Sequence, residues 1–150
     1  MEAIRNISRI GRNTAGMTQA RWAEALDVSV EAVAQYESGK IMPADDIVLS
    51  MAEVSGMQIL CYWHMLNKSR VAAEVLPVVE EIPLPQAVVQ LICRMRDFEN
   101  KHRTDELLFI SADGVVDEKE RPAFEQIVRE LDGVVQAAMQ VRFAPREELT

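Results

Sequence analysis

The chain has 150 residues, of which 49% are apolar and 27% charged, a profile typical of folded globular proteins with one or two domains. It carries 24 acidic and 16 basic residues, for a net charge of −8. This acidic balance excludes a protein that binds membranes or nucleic acid through bulk positive charge. The longest apolar run, residues 57–66, is about half of the ~20 residues needed to span a bilayer, so we expect no membrane segment.

Two further features point to a protein that stays in the cytoplasm. Charged residues interrupt the amino terminus, where a secretory signal needs a continuous apolar stretch. Only Cys61 and Cys93 are present, too few for a disulfide framework, and both have apolar neighbours.

The spacing of apolar residues predicts an all-α fold. Aromatic residues make up only 5% of the chain, and apolar residues recur at intervals of three and four rather than two. Gly16, Gly39 and Gly56 are expected to end helices, and Thr18 and Ser29 to cap them. In the amino-terminal half, the predicted helices cover about residues 3–15, 18–26, 29–37 and 43–55, with a fifth from about 57 that continues toward 76.

A proline-rich segment, LPVVEEIPLP at residues 76–85, predicts a domain boundary. Each proline removes a backbone donor and favours an extended conformation before it. Beyond it, we expect a helix of four or five turns around residues 87–98, a shorter one through Ile110, and a long one from about Asp117 to Phe143. The predicted organisation is an amino-terminal domain 1–66, a connection 67–85, a carboxy-terminal helical domain 86–144 and a tail 145–150.

The last helix carries an apolar stripe at heptad spacing. Such a stripe must be covered by other apolar side chains. An intramolecular three-helix core and a dimer seam are both consistent with it. The stripe consists of Phe124, Ile127, Leu131, Val134, Ala138 and Val141, widened by Val128 and Val135.

Residues 18–43 have the pattern of a helix-turn-helix, two short helices joined by a three-residue turn. Such a motif needs a small residue where the helices approach, which Ala23 supplies, and a second helix buried on one side, which Val33 and Tyr36 supply. The other side of the second helix then faces solvent or a major groove with Val30, Glu31, Ala34 and Gln35.

Over about the first 65 residues, the sequence resembles the Cro/repressor (XRE) helix-turn-helix family of transcription regulators. The resemblance implies a five-helix, lambda-repressor-like DNA-binding domain. Asp27 departs from it, since the family usually has glycine in the turn, and Glu31 stands where neutral or basic base readers are common. The matching positions are Thr18-Gln19, Ala23, Val28-Ser29, Val33, Tyr36-Glu37, Gly39 and Pro43.

The resemblance also implies roles for individual side chains. Gln19 would hydrogen-bond the backbone at the amino end of the first motif helix, and Lys40 would reach phosphate. Arg12 would form a salt bridge with Glu37 and lie near phosphate. Val30, Glu31 and Gln35 would face base edges. The full set of expected DNA-binding residues is Arg12, Thr18, Gln19, Ser29, Val30, Glu31, Gln35 and Lys40.

Residues 1–42 contain five basic and five acidic residues, so phosphate attraction is modest. We therefore expect a homodimer that reads double-stranded operator half-sites about 34 Å apart. The predicted function is a sequence-specific bacterial or prophage transcription regulator that acts as a repressor. The alternative is a protein-interaction or antitoxin-like module with little DNA binding. In either case, the carboxy-terminal helices could bind a protein partner.

No catalytic residue, cofactor or metal site is expected. The segment SADGVVDEKE resembles a calcium loop, but that alignment puts Phe109 and Ser111 where carboxylate oxygens are required. A simpler interpretation is that Gly114 ends one helix, while Asp117 and Glu120 form a capping box for the next.

Overall fold

A computed structural model describes residues 5–146, and all the regular structure in that range is helical, which confirms the predicted all-α fold. The chain divides between Leu76 and Pro77 into two compact units. No helix in the described range is long and apolar enough to cross a membrane.

Unit one contains six α-helices among its described residues, and unit two contains three α-helices and a short 3-10 helix, Ser111–Asp113. Those of unit one are α1 (Ile7–Thr14), α2 (Gln19–Leu26), α3 (Val30–Ser38), α4 (Asp45–Ser55), α5 (Ile59–Lys68) and α6 (Arg70–Val75). Those of unit two are α7 (Leu84–Asn100), α8 (Arg103–Ile110) and α9 (Arg121–Phe143).

Two predicted boundaries in unit one were wrong. The first helix begins at Ile7 rather than Ala3, because Asn6 is non-helical and its side chain accepts a hydrogen bond from the Arg9 amide at 3.0 Å. The fifth helix does not continue toward Leu76. Ser69 is extended and caps a separate helix, α6, by accepting from the Ala72 amide at 3.2 Å. Ile4, expected on the apolar side of α1, lies outside the described residues.

The core of unit one forms around Trp22, which is fully buried. Its indole nitrogen donates to the Ser8 hydroxyl at 3.2 Å, so the ring's polar atom is satisfied. A Cβ added at Gly11 would lie 2.9 Å from Leu60 Cδ1 and 3.2 Å from the Trp22 ring. Glycine is therefore needed for α1 to approach this core so closely. The other large side chains that are fully buried there are Met51, Ile59, Leu60, Val33 and Val48.

In unit two, α7 and α9 run antiparallel. Three contacts establish the direction. As residue numbers increase along the rest of unit two, the residue numbers of their contacts on α9 decrease. Gln136 donates to the Val78 carbonyl at 2.6 Å, Arg94 lies against Gly133, and Arg103 binds Glu130 at 2.8 Å. The interior between the helices includes Ala87, Ile127 and Ala137, all fully buried.

The predicted seam on α9 is only partly buried. Ile127 lies inside and Val134 and Val141 are half-buried, but Leu131 and Ala138 are exposed, and Ala137 rather than Ala138 faces the interior. The apolar stripe is wider than the surface that α7 covers, so one side of it remains on the outside.

The start of α9 has the reciprocal hydrogen bonds of a capping box. The Asp117 carboxylate accepts from the Glu120 amide at 2.9 Å, and the Asp117 amide donates to the Glu120 carboxylate at 3.1 Å. Regular helix begins at Arg121, four residues later than predicted, because the capping turn occupies 117–120. Gly114 has φ 78° and ends the preceding turn, as predicted.

Candidate nucleic-acid interface

Helices α2 and α3 form a helix-turn-helix with both helix starts capped. The Thr18 hydroxyl accepts from the Arg21 amide at 3.2 Å, and the Ser29 hydroxyl accepts from the Ala32 amide at 3.0 Å. Between them, Asp27 has a left-handed backbone with φ 54°. Aspartate is among the few residues other than glycine that visit this conformation routinely, so the departure from glycine leaves the turn intact.

Helix α3 is buried on one side and open on the other. Val33 and Glu37 are buried, whereas Val30, Glu31, Ala34 and Ser38 are exposed and Gln35 is half-buried. The open side borders a shallow depression of about 300 Å³. Its lining consists of Glu31, Ala34, Gln35, Ser38 and Lys40.

The Glu37 carboxylate is the point at which α1 and α2 meet α3. Arg12 on α1 donates to both of its oxygens, through Nε at 2.6 Å and Nη2 at 3.1 Å. Gln19 on α2 donates through Nε2 at 3.0 Å, and Arg9 Nε lies 3.8 Å away. The predicted pair of Arg12 and Glu37 is confirmed, and it is bidentate, which fixes orientation as well as distance.

The hydrogen bonds to Glu37 keep it ionised. Burial raises the pKa of this carboxyl, but the hydrogen bonds from Arg12 and Gln19 outweigh burial and hold its pKa below the ordinary value. The hydrogen bond to Glu37 likewise raises the pKa of Arg12. Both partners are therefore charged near neutral pH.

The carboxyl end of α3 is also held by α1, through side chains that the sequence analysis missed. Asn6 Nδ2 donates to the carbonyls of Glu37 at 2.8 Å and Tyr36 at 3.3 Å, and Arg9 Nη2 donates to the Glu37 carbonyl at 3.2 Å. Carbonyls in the last turn of a helix lack the usual intrahelical partner, and here the Tyr36 carbonyl also accepts from the amide of the C-cap residue Gly39 at 3.2 Å. Two signals could have indicated the contact: asparagine is a preferred N-cap, and Arg9 lies on the same side of α1 as Arg12.

The role predicted for Gln19 was wrong. Its side chain was expected to bind the backbone at the start of α2, but Thr18 occupies that position and the Gln19 amide donates to Glu37 instead. The carboxylate is the stronger acceptor, because hydrogen bonds to a charged group are about twice as strong as neutral ones. Gln19 thus positions α3 against α2.

The eight predicted DNA-binding residues fall into three places. Glu31, Gln35 and Lys40 line the depression on α3, with Val30 exposed one residue before Glu31. Thr18 and Ser29 cap the amino ends of α2 and α3. Arg12 and Gln19 meet at Glu37.

Arg12 has little left to offer a phosphate. Three of its nitrogens are engaged, since Nη1 donates to the Met17 carbonyl at 3.1 Å while Nε and Nη2 bind Glu37. Its side chain is only 18% exposed. Its main role in the described structure is therefore to fix α3 on α1.

Comparison with known proteins agrees with this geometry. Residues 9–58 match a family described as helix-turn-helix, a range that includes α2, the turn and α3. No curated protein and no solved structure matches the chain. Over residues 9–58, the chain is therefore similar to helix-turn-helix domains of the Cro/repressor type.

Proposed function

We propose that this chain is a sequence-specific transcription repressor that binds double-stranded DNA as a homodimer, with α3 of each copy in the major groove of one half-site. The observation that carries the proposal is the combination of an open face on α3 with a carboxyl end clamped by α1 and α2 through Glu37. A clamped helix presents its side chains in one orientation, so little ordering cost remains to be met on binding.

The side chains on the open face suit base edges in a major groove. Gln35 is one turn beyond Glu31 on α3, and an amide pairs bidentately with adenine. A carboxylate at Glu31 accepts from the amino group of cytosine, while Val30 and Ala34 offer apolar contact to a thymine methyl group. We expect the half-site to contain A·T and C·G pairs about one helical turn of α3 apart.

Fewer groups are available to contact phosphates than to contact base edges. Lys40 is exposed beside the depression, and the first turns of α2 and α3 present backbone amides where the helix dipole favours anions. With five basic and five acidic residues in 1–42, one module gains little from counterion release. Affinity in the usual range for specific sites then requires two linked modules reading half-sites about 34 Å apart.

The rest of the chain fits such a regulator. We propose 1–66 as the DNA-binding domain, 67–85 as the connection, 86–144 as the dimerisation domain and 145–150 as a tail, the last four residues of which lie outside the described range. A dimer occupying two major grooves blocks a promoter, which is the simplest route to repression. A bacterial or prophage regulator of this kind works in the cytoplasm, where its DNA is.

Selection of bound duplexes from a random pool tests the proposal directly. We expect the full chain to enrich a sequence with two-fold symmetry. Enrichment should be lost with Glu31→Arg, which reverses a charge on the open face, and kept with Glu53→Arg, the same change at an exposed position on α4. Failure of the full chain to enrich any sequence would contradict the proposal.

Gln35→Ala and Lys40→Ala separate base reading from phosphate binding. Gln35→Ala should change which base is preferred at one position, because the loss of a bidentate pair costs about 1–3 kcal/mol of discrimination. Lys40→Ala should weaken all sites alike, because phosphate contacts carry no sequence information. Binding of a panel of single-base variants measures both; an unchanged ranking with Gln35→Ala would remove Gln35 from the base readers.

A protein-interaction module is the second candidate, favoured by one observation. Phe109 and Leu108 on α8 are largely exposed in a chain that carries a net charge of −8, and an exposed apolar patch on an acidic protein suits a basic protein partner. On that reading, the helix-turn-helix serves as a scaffold, and the selection experiment returns no preferred site.

A further inference from the structure

One side of α9 carries an apolar stripe that the described structure covers only in part. At about 100° per residue, its five members fall within an arc of about 80°. Leu131 is 36% exposed and Val135 48% exposed, values far above those of interior residues such as Ile127. The stripe consists of Phe124, Val128, Leu131, Val135 and Ala138.

Helix α7 carries a matching stripe. Leu84 and Ile92 are each 41% exposed and Met95 is 54% exposed, with the half-buried Val88 between them. These four positions also fall within an arc of about 80°. Each helix therefore buries one side against the other and leaves an adjacent apolar side open.

The two stripes lie on the same face of the helix pair. When each helix is viewed from its amino end, its stripe lies about 90° clockwise from its buried side. The buried side is marked by Ala87 on α7 and by Ile127 and Ala137 on α9. Because the helices are antiparallel, equal turns in the same sense point to the same side of the pair. We name this surface, made of the two stripes, the α7/α9 face.

The opposite side of the helix pair is occupied. Arg94 lies against Gly133, Arg103 binds Glu130, and the segment before α7 reaches α9 where Gln136 binds the Val78 carbonyl. On the wheel of α9, Gly133 and Gln136 lie beyond the buried positions from the stripe, and Glu130 lies between the buried Ile127 and Ala137. On α9, the large apolar residues that are exposed therefore all belong to the stripe, whereas on α7 Val89 is also exposed on the far side.

The size of the α7/α9 face suits a stable interface. From Phe124 to Ala138 it is about 21 Å long, and two helices side by side are about 20 Å wide. With its polar rim, such a surface reaches the roughly 600–1,000 Å² per partner that standard interfaces bury. At about 400 Å², this surface is comparable with the largest apolar patch of a typical monomer, which is often functional.

We propose that the α7/α9 face binds the same face of a second copy, with the two-fold axis passing near Leu131 to give a four-helix interface. The role of this interface rests on the proposed function, since binding to two half-sites needs two linked modules. We infer that the partner is a second copy because the spacing of the stripe residues is nearly symmetric about Leu131. Phe124 and Ala138 lie seven residues to either side, and Val128 and Val135 lie three and four.

The charges at the ends of the stripe support the same partner. Glu120 lies eleven residues before Leu131 and Arg142 eleven residues after it, and both fall within the arc of the stripe. A two-fold axis at Leu131 places each Glu120 opposite Arg142 of the other copy. An isologous interface requires this kind of self-complementarity, in apolar contacts and in charge.

Sedimentation of the full chain at tens of micromolar tests the proposal. We expect a dimer, and we expect Val135→Lys and Ile92→Lys each to raise the dissociation constant at least a hundredfold with unchanged helix content. The matched control is Val89→Lys, because Val89 is 60% exposed but lies on the far side of α7. A monomeric wild-type chain, or variants that remain dimeric, would overturn the proposal.

Crosslinking locates the axis without relying on a destabilising charge. In a Cys93→Ser background, Leu131→Cys should give a covalent dimer with a short thiol crosslinker, whereas Val89→Cys should not. Equal crosslinking at both positions would place the contact elsewhere.

Failure of the inference differs from failure of the proposed function. A monomer that still selects a DNA site overturns the α7/α9 interface and leaves DNA binding standing. A dimer that depends on Val135 and Ile92 but selects no site supports the interface and overturns the DNA-binding proposal.

Discussion

The bidentate pair of Arg12 and Glu37 holds the recognition helix in place, and its removal should destabilise unit one. Glu37 is 4% exposed and Arg12 18% exposed, so neither charge is easily rehydrated when its partner is lost. Arg12→Ala removes two of the three side-chain hydrogen bonds to the carboxylate, leaving Gln19 as a donor and Arg9 at 3.8 Å.

The expected magnitude follows from those contacts. Hydrogen bonds to charged groups contribute about 1.5–3 kcal/mol. Since Gln19 and Arg9 still compensate the carboxylate in part, we expect Arg12→Ala to lower the free energy of unfolding by about 2–3 kcal/mol, and Glu37→Ala by a similar amount. The double variant should cost about 1–2 kcal/mol less than the sum of the two, because both single changes break the same interaction.

Urea unfolding followed by tryptophan fluorescence measures this in the full chain. Both tryptophans, Trp22 and Trp63, belong to unit one, so the signal reports that unit alone. Simple additivity of the two single changes would refute the coupling. Lys68→Ala is the control, since within residues 5–146 that exposed cation pairs with an exposed carboxylate, Asp45, and should cost at most about 1 kcal/mol.

The same pair predicts a pH dependence of defined sign. Because the pKa of Glu37 is lower in the folded state than its ordinary value of 4.5, its stabilising contribution is complete above about that pH. The contribution is lost as the pH falls through the folded-state pKa. The difference in stability between the wild type and Glu37→Gln should therefore shrink below pH 4.5; a constant difference down to pH 3 would contradict the assignment.

Three further outcomes are expected. Asp27→Gly should raise the stability of unit one by about 0.5–1 kcal/mol, because glycine adopts the left-handed φ of 54° without strain, whereas Asp27→Val should lower it in the same fluorescence assay. In unit two, the hydrogen bond from Arg103 lowers the pKa of Glu130 to about 2, so stability should fall as the pH drops from about 4.5 to 2, and circular dichroism of Glu130→Gln should lack this step. Residues 1–76 alone should fold but bind DNA weakly in a titration, and tight binding by this fragment would show that linked modules are unnecessary.

Much of unit one could be predicted because its signals are local. Thr18, Ser29, Gly39 and Gly56 act through contacts within a few residues of themselves, and each lies at a helix end as predicted. The pairing of Arg12 with Glu37 was also predicted, but through a family resemblance, since nothing local relates two residues 25 positions apart.

The roles of Gln19, Asn6 and Arg9 could not be derived in this way. Each depends on which acceptor comes within reach when α1, α2 and α3 pack together, and the carboxyl end of α3 provides a carboxylate and the carbonyls of Tyr36 and Glu37. Propensity and spacing describe a single helix, so they cannot rank acceptors on another.

The stripe on α9 also separates what local sequence predicts from what packing determines. Its period of three and four residues, readable from the sequence, determined that α9 is a helix with an apolar side. Which members are buried was decided by tertiary structure, because α7 covers an arc centred on Ile127 and Ala137 and leaves Leu131 and Val135 outside it. Periodicity specifies the width of an apolar surface, and only the packed neighbour determines how much of that width remains open to a partner.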